Sequence, residues 1–105
     1  MKFLAFTTYH VDKLGDLAKA LDKLAANPLE DYKILKMYSC LANPFPGVDL
    51  PPGTMVGVSI IESNNAESLA SASIEMTLAG VNVNRIPVME VAVGEVEETV
   101  ERLKV

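Results

Sequence analysis

The chain has 105 residues, half of them apolar, 22% charged and 6% aromatic, a length that suits one compact domain over residues 1–105 and is short for two. Fourteen acidic against nine basic residues leave a formal charge of −5, and the bases form no run or stripe, so nucleic acid is not expected as a partner. The single cysteine, Cys40, has no partner for an internal disulfide, and one cysteine plus one histidine fall short of the ligands a first-row metal site gathers, so neither metal nor cofactor is expected.

The apolar opening Met1–Tyr9 carries Lys2 and runs into Thr7, Thr8, Tyr9 and His10, too short for a signal peptide or a spanning helix. With no polybasic tract or lipidation motif, no membrane partner is expected, and the chain reads as a soluble cytoplasmic protein of a reducing compartment. Lys2–Tyr9 (KFLAFTTY) is dense in β-branched and aromatic residues and predicts a strand. Val11, Leu14, Leu17, Ala18, Leu21, Leu24 and Ala25 then share one face of a helix, with Lys13, Asp16, Lys19 and Lys23 opposite. Asp12 suits its N-cap, and Asn27-Pro28 its stop.

Asp31–Leu41 (DYKILKMYSCL) alternates as a half-buried strand does. Asn43–Gly53 (NPFPGVDLPPG) holds four of the six prolines and two of the six glycines and predicts a loop, read as a dimer contact or a pocket lid. Met55–Glu62 (MVGVSIIE) is a third strand. Asn64 and Glu67 form a capping-box pattern before a helix over Ala66–Ala79, which Gly80 ends. Val81–Ala92 (VNVNRIPVMEVA) is strand-like, and Pro87 confines it to a sheet edge. A short last helix follows, carrying Val96, Val100 and Leu103 between Glu95, Glu97 and Glu98 at its start and Arg102 and Lys104 at its end.

This order predicts an α+β, ferredoxin-like β-α-β-β-α-β fold: a four-stranded antiparallel sheet with two helices on one face and an extra helix at the C-terminal end. The first and third strands are then central and the other two are edges. The helices are expected over the uniformly apolar side, with Leu4, Phe6, Leu35, Met37, Val56, Val58, Ile60, Ile86 and Val88. The opposite side would collect Phe3, Ala5, Thr7, Tyr9, Ile34, Lys36, Tyr38, Cys40, Gly57, Ser59, Ile61, Arg85, Pro87 and Met89. Left bare, that mixed patch exceeds what soluble monomers usually expose.

The segments KFLAFTTY, VGVSIIESNNAESLASAS and VNVNRIPVMEVA resemble small uncharacterised proteins of the dimeric α+β barrel superfamily. The resemblance spans most of the chain and rests on structural rather than catalytic motifs. It implies a homodimer in which two sheets face each other, with ligands inside the barrel or between sheet and helices. The superfamily includes cofactor-independent monooxygenases, isomerases, haem enzymes and ligand-sensing domains, so the resemblance leaves the function open.

Several residues invite a chemical role. His10, where the first strand meets the first helix, could serve as a general acid or base, or simply cap the helix. Lys36 and Arg85, two cations on an inward face of an acidic chain, could hold an anionic group or pair across a dimer. Thr7, Tyr9, Tyr38 and Ser59 would supply hydroxyls around the same ligand, with Gly57 leaving room for it. Cys40 reads as a packed thiol, and Glu62 and Glu90 as solvated strand ends or a shared acid pair. Together these predict a homodimeric barrel binding a small apolar or anionic metabolite. The alternatives are a regulatory or assembly module without catalysis, and a cofactor-independent isomerase or monooxygenase.

Overall fold

The computed structural model describes residues 1–104. Strand β1 (Lys2–His10) leads through a tight 3-10 turn, Val11–Lys13, into helix α1 (Leu14–Ala26). Strands β2 (Tyr32–Ser39) and β3 (Thr54–Ser63) flank the proline-rich loop, helix α2 (Ala66–Leu78) and strand β4 (Asn82–Val88) follow, and helix α3 (Val96–Leu103) comes last. The sheet runs β2-β3-β1-β4 with every neighbouring pair antiparallel. This is the ferredoxin-like arrangement, with β1 and β3 central and Pro87 on an edge strand, where its missing N–H costs no ladder bond.

Two caps lie one or two positions from those the spacing suggests. His10, not Asp12, closes the turn into α1: its Nδ1 accepts from the Asp12 N–H at 3.3 Å. Asn65, not Asn64, caps α2 by accepting from the Ser68 N–H at 3.1 Å. Both satisfy backbone donors that a first helical turn leaves open. At the sheet end, Lys2 Nζ meets Glu90 at 2.8 Å, which holds the Glu90 carboxyl below and the Lys2 amine above their ordinary pKa. The pair's contribution is therefore lost as pH falls through the lowered Glu90 value and again as pH rises through the raised Lys2 value.

The expected assignment of faces is reversed for β1, β3, β4 and Ile34 of β2, while Met37, Lys36 and Tyr38 lie on the sides expected of them. Tyr9 packs with Leu17 and Leu24 of α1, Met76 of α2 and Val81 in one buried cluster, so the helices lie over the odd-numbered residues of β1. Cross-strand partners share a face, which brings Ser59 and Arg85 beside Ala5, and Gly57 and Val83 beside Thr7, under the helices. Leu4, Phe6, Val58, Ile60, Ile86 and Val88 point the other way. The period of two sorts residues into two sets but does not say which set the helices cover, and here both faces are largely apolar.

A bulge in β2 divides that strand. Ile34 pairs with Ile61 on the helix side, yet Lys36 pairs with Ile60 on the open side, with the register shifting between them. Met37 and Ser39, beside Ser59 and Gly57, consequently face the helices, while Lys36 and Tyr38 do not. The extra residue, Leu35, is what a period of two cannot show. The proline-rich loop tucks under one end of the open face, where Phe45 meets Phe6 with ring centroids 5.4 Å apart. Asn43 Oδ1 steadies the loop by accepting from the Phe45 N–H at 2.8 Å.

Replacing Leu17, 5% exposed, by Ala is expected to cost about 2–4 kcal/mol in denaturant unfolding. Leu14→Ala, at a position 45% exposed, should cost clearly less, and Asn65→Ala about 1 kcal/mol through the lost cap.

Candidate binding site

The cluster around Tyr9 joins α1 to α2 and to Val81 beside β4, and a gap opens between α1 and the other half of the helix-side face. A cavity of about 270 Å³ occupies it. Leu14, Leu17 and Leu21 of α1 and Ile34 and Met37 of β2 supply apolar walls. Gly57 and Ser59, both small, form the β3 floor beside Thr7 and Tyr9. The cavity opens past Ala18, Leu21, Ile34 and Met37 into a wider groove of about 980 Å³ that follows α1 and edge strand β2 out to Asp22, Lys33 and Lys36.

Gly57 keeps the floor low. A Cβ at this position would stand 2.7 Å from Thr7 Oγ1, the hydroxyl that donates to the Gly57 carbonyl at 3.3 Å. Thr7, Tyr9, Ser39 and Ser59 place hydroxyls at the wall, and no Asp, Glu, Lys, Arg or His is among the lining residues. Such a surface can exclude water from an apolar group and orient it through hydrogen bonds. Its hydroxyls have no histidine or carboxylate among the lining residues to take their protons, and nucleophilic catalysis asks for such a pair.

Three of the residues singled out in the sequence, Thr7, Tyr9 and Ser59, line this cavity from the helix side, and Tyr38 borders it while its side chain belongs to the open face. The other three do not join them. The bulge sends Lys36 to the open side. Arg85 lies under α2, where it donates to Ser73 Oγ and its Nε is buried without a partner, so the two cations do not converge on one anion. His10 is exposed, with Nδ1 2.8 Å from Asp12 Oδ1 and with Gly53 so close to Nε2 that a Cβ there would come within 2.5 Å. Its visible work is to cap the turn and seat the end of the loop, where the Val11 N–H donates to the Gly53 carbonyl at 2.8 Å.

Glu90 pairs with Lys2 rather than with Glu62, and Cys40 is a free, partly buried thiol. The loop is no lid for this cavity, because Phe45 packs on the opposite sheet face. Leu14, Leu17, Leu21, Ala18, Met37, Val58 and Ser39 are the lining residues that sequence reasoning assigned only to packing or left out. The signal for the first three was their place on the apolar stripe of α1, which is wider than the buried Leu17 and Leu24 alone require. Among the described residues no three His, Cys, Asp or Glu side chains gather as metal ligands, and no helix is long and apolar enough to cross a membrane.

No protein-family model matches the sequence, and no curated protein matches it. Solved structures do. An uncharacterised protein from Thermotoga maritima superimposes with a TM-score of 0.59 at 9% identity, over 84% of this chain and 96% of that one. A prephenate dehydratase from Streptococcus mutans gives 0.52 at 20% identity over 80% of this chain and 40% of its own. An ACT domain protein from Streptococcus pneumoniae gives 0.47 at 16% identity over 82% of this chain and 88% of its own. At these identities the first two share the fold, and the functional reading rests on the site.

Gly57→Ala should destabilise the chain by about 1–3 kcal/mol, measured by denaturant unfolding. Thr7→Ala in the same chain should recover part of that loss by removing the clashing hydroxyl.

Proposed function

We propose that the chain is a small-molecule-binding module, without catalysis of its own, that works as a homodimer. The observation that carries this reading is the cavity between α1 and the β2–β3 half of the sheet: apolar walls, hydroxyls on the floor, and no acid–base pair. The ligand it suits is small, with an apolar body and one or two hydrogen-bonding groups, its buried part uncharged. Charge would be expensive in a lining that offers no counter-ion. The fold recurs as 40% of a longer enzyme, the prephenate dehydratase, so it does not by itself imply chemistry.

The dimer reading rests on the open sheet face. Ile86 and Val88 are 43% and 40% exposed there, and Leu4, Val58 and Ile60 are only partly covered. A second sheet packed about 10 Å away would bury such a surface, as in the barrel the sequence resembles.

A panel of small neutral aromatic and aliphatic alcohols and amides, screened by thermal shift, tests the binding reading. A member at a hundred times its Kd adds about 2.7 kcal/mol, a rise in Tm of about 10 °C. Ala18→Trp, which would fill the passage from groove to cavity, should abolish the shift while the protein stays folded by circular dichroism. A panel with no saturable binder, or a shift that survives Ala18→Trp, would overturn this reading. Light scattering over a concentration series should give twice the chain mass.

A further inference from the structure

Cavity and groove are one continuous cleft. Ala18, Leu21, Ile34 and Met37 line both, so the site described above is the inner part of a longer space. The groove stays open because α1 shares no extensive packing with β2. Toward that strand α1 presents Ala18 and Ala25, two turns apart and hence on one helix face, and neither side chain is long enough to fill the gap. Across it Met37, on the helix side of β2, is still 54% exposed, and Leu35 is 42% exposed.

The polar groups of this cleft are sorted along its length. Thr7, Tyr9, Ser39 and Ser59 gather hydroxyls in the cavity, and among the described residues only that of Thr7 has a protein partner, the Gly57 carbonyl. Tyr9 is 8% exposed and its ring belongs to the core cluster, so a hydroxyl placed there bonds to whatever fills the cavity. Beyond the passage the walls are apolar, with Leu21, Ala25 and Pro28 on one side and Ile34, Leu35 and Met37 on the other. The charged groups of the groove, Asp22, Lys33 and Lys36, stand at its outer margin, and both lysines occupy open-side positions of β2.

Length and polarity together select the guest. From Ala18 to Ala25 the groove follows α1 for about 10 Å at the helical rise of ~1.5 Å per residue. A zigzag of C–C bonds ~1.5 Å long advances roughly 1.25 Å per carbon, so the groove matches an alkyl run of about eight carbons. Charge is unwelcome at the cavity end, where no counter-ion lines the wall. An uncharged polar head finds hydroxyl donors and acceptors there.

We infer that the cleft binds a straight-chain aliphatic molecule with an uncharged polar head, an alkanol or alkanamide. Its head sits on the hydroxyls of Tyr9 and Ser59, and its chain lies along the groove between α1 and β2. This rests on the binding reading above and narrows its ligand class. It is independent of the dimer reading, because the groove is on the helix side of the sheet and not on the open face.

Titration calorimetry of the full chain with straight-chain alkanols, from butanol to decanol, tests the assignment. Half-burying each added methylene should tighten Kd about twofold per carbon. Ala25→Trp, at an exposed groove position outside the cavity, should leave the Kd of butanol unchanged and remove the gain of decanol. Tyr9→Phe, whose lost hydroxyl has no protein partner, should weaken every alkanol by one common factor of about threefold to tenfold. Decanoate at neutral pH should bind at least tenfold more weakly than decanol. Butanol that saturates with no gain for longer chains, or a gain that survives Ala25→Trp, would sink the chain in the groove and leave the cavity reading standing. Decanoate binding more tightly than decanol would put the head at Lys36 instead and overturn the arrangement. If no alkanol binds while another member of the neutral panel does, only this inference fails; if nothing binds, both readings do.

Discussion

The buried cluster of Tyr9, Leu17, Leu24, Met76 and Val81 is the contact on which the rest of this molecule depends. It fastens α1 to α2 and to the start of β4. A helix held there cannot also lie on β2, whose helix-side residues are left with an apolar wall across a gap. The cavity thus results from where the core draws its helices, with Gly57 and Ser59 keeping the floor beneath it shallow. A larger residue at either place would fill the space with side chain and turn a site into ordinary core.

The same constraint makes the two faces of one small sheet different. Beneath the helices, the rows through Thr7 and Ala5 carry hydroxyls and small residues. On the reverse, the rows through Leu4 and Phe6 carry branched and aromatic side chains, part of which the loop covers through Phe45. One face has room for a small molecule, and the other has area to offer a large partner. The two faces share the same strands, and β1 and β3 are central to both.

The topology was largely legible in the sequence. Hydrophobic period separates strands from helices, and Pro87 by itself marks β4 as an edge, because a missing donor is a local fact with a global meaning. What stayed hidden depends on relations between elements. Which side the helices cover turns on whether Tyr9 or Phe6 meets Leu17, and an alternating strand with two apolar faces gives no local preference. The bulge at Leu35 reverses Lys36 and Met37 relative to strict alternation, so Lys36 looked like a neighbour of Tyr9 when it belongs with Ile60. Thr7, Tyr9 and Ser59 could be singled out because their alternation places hydroxyls on one face of the central strands beside Gly57, which leaves space there. Arg85 was as conspicuous, but Ser73 on α2, its actual neighbour, is invisible without the packing of that helix.

The bulge has one more effect, on how the chain behaves when crowded. A free strand edge invites another strand to add to it, and open-ended growth from such edges leads to insoluble ladders. Here each outer strand is interrupted: β2 by the extra residue at Leu35 with a lysine on either side of it, and β4 by a proline that offers no N–H. Lateral growth of the sheet is blocked at both ends, even though its faces remain sticky. What the sheet still offers to a second copy is its open face, and a face-to-face contact about a two-fold axis would close after two copies instead of propagating.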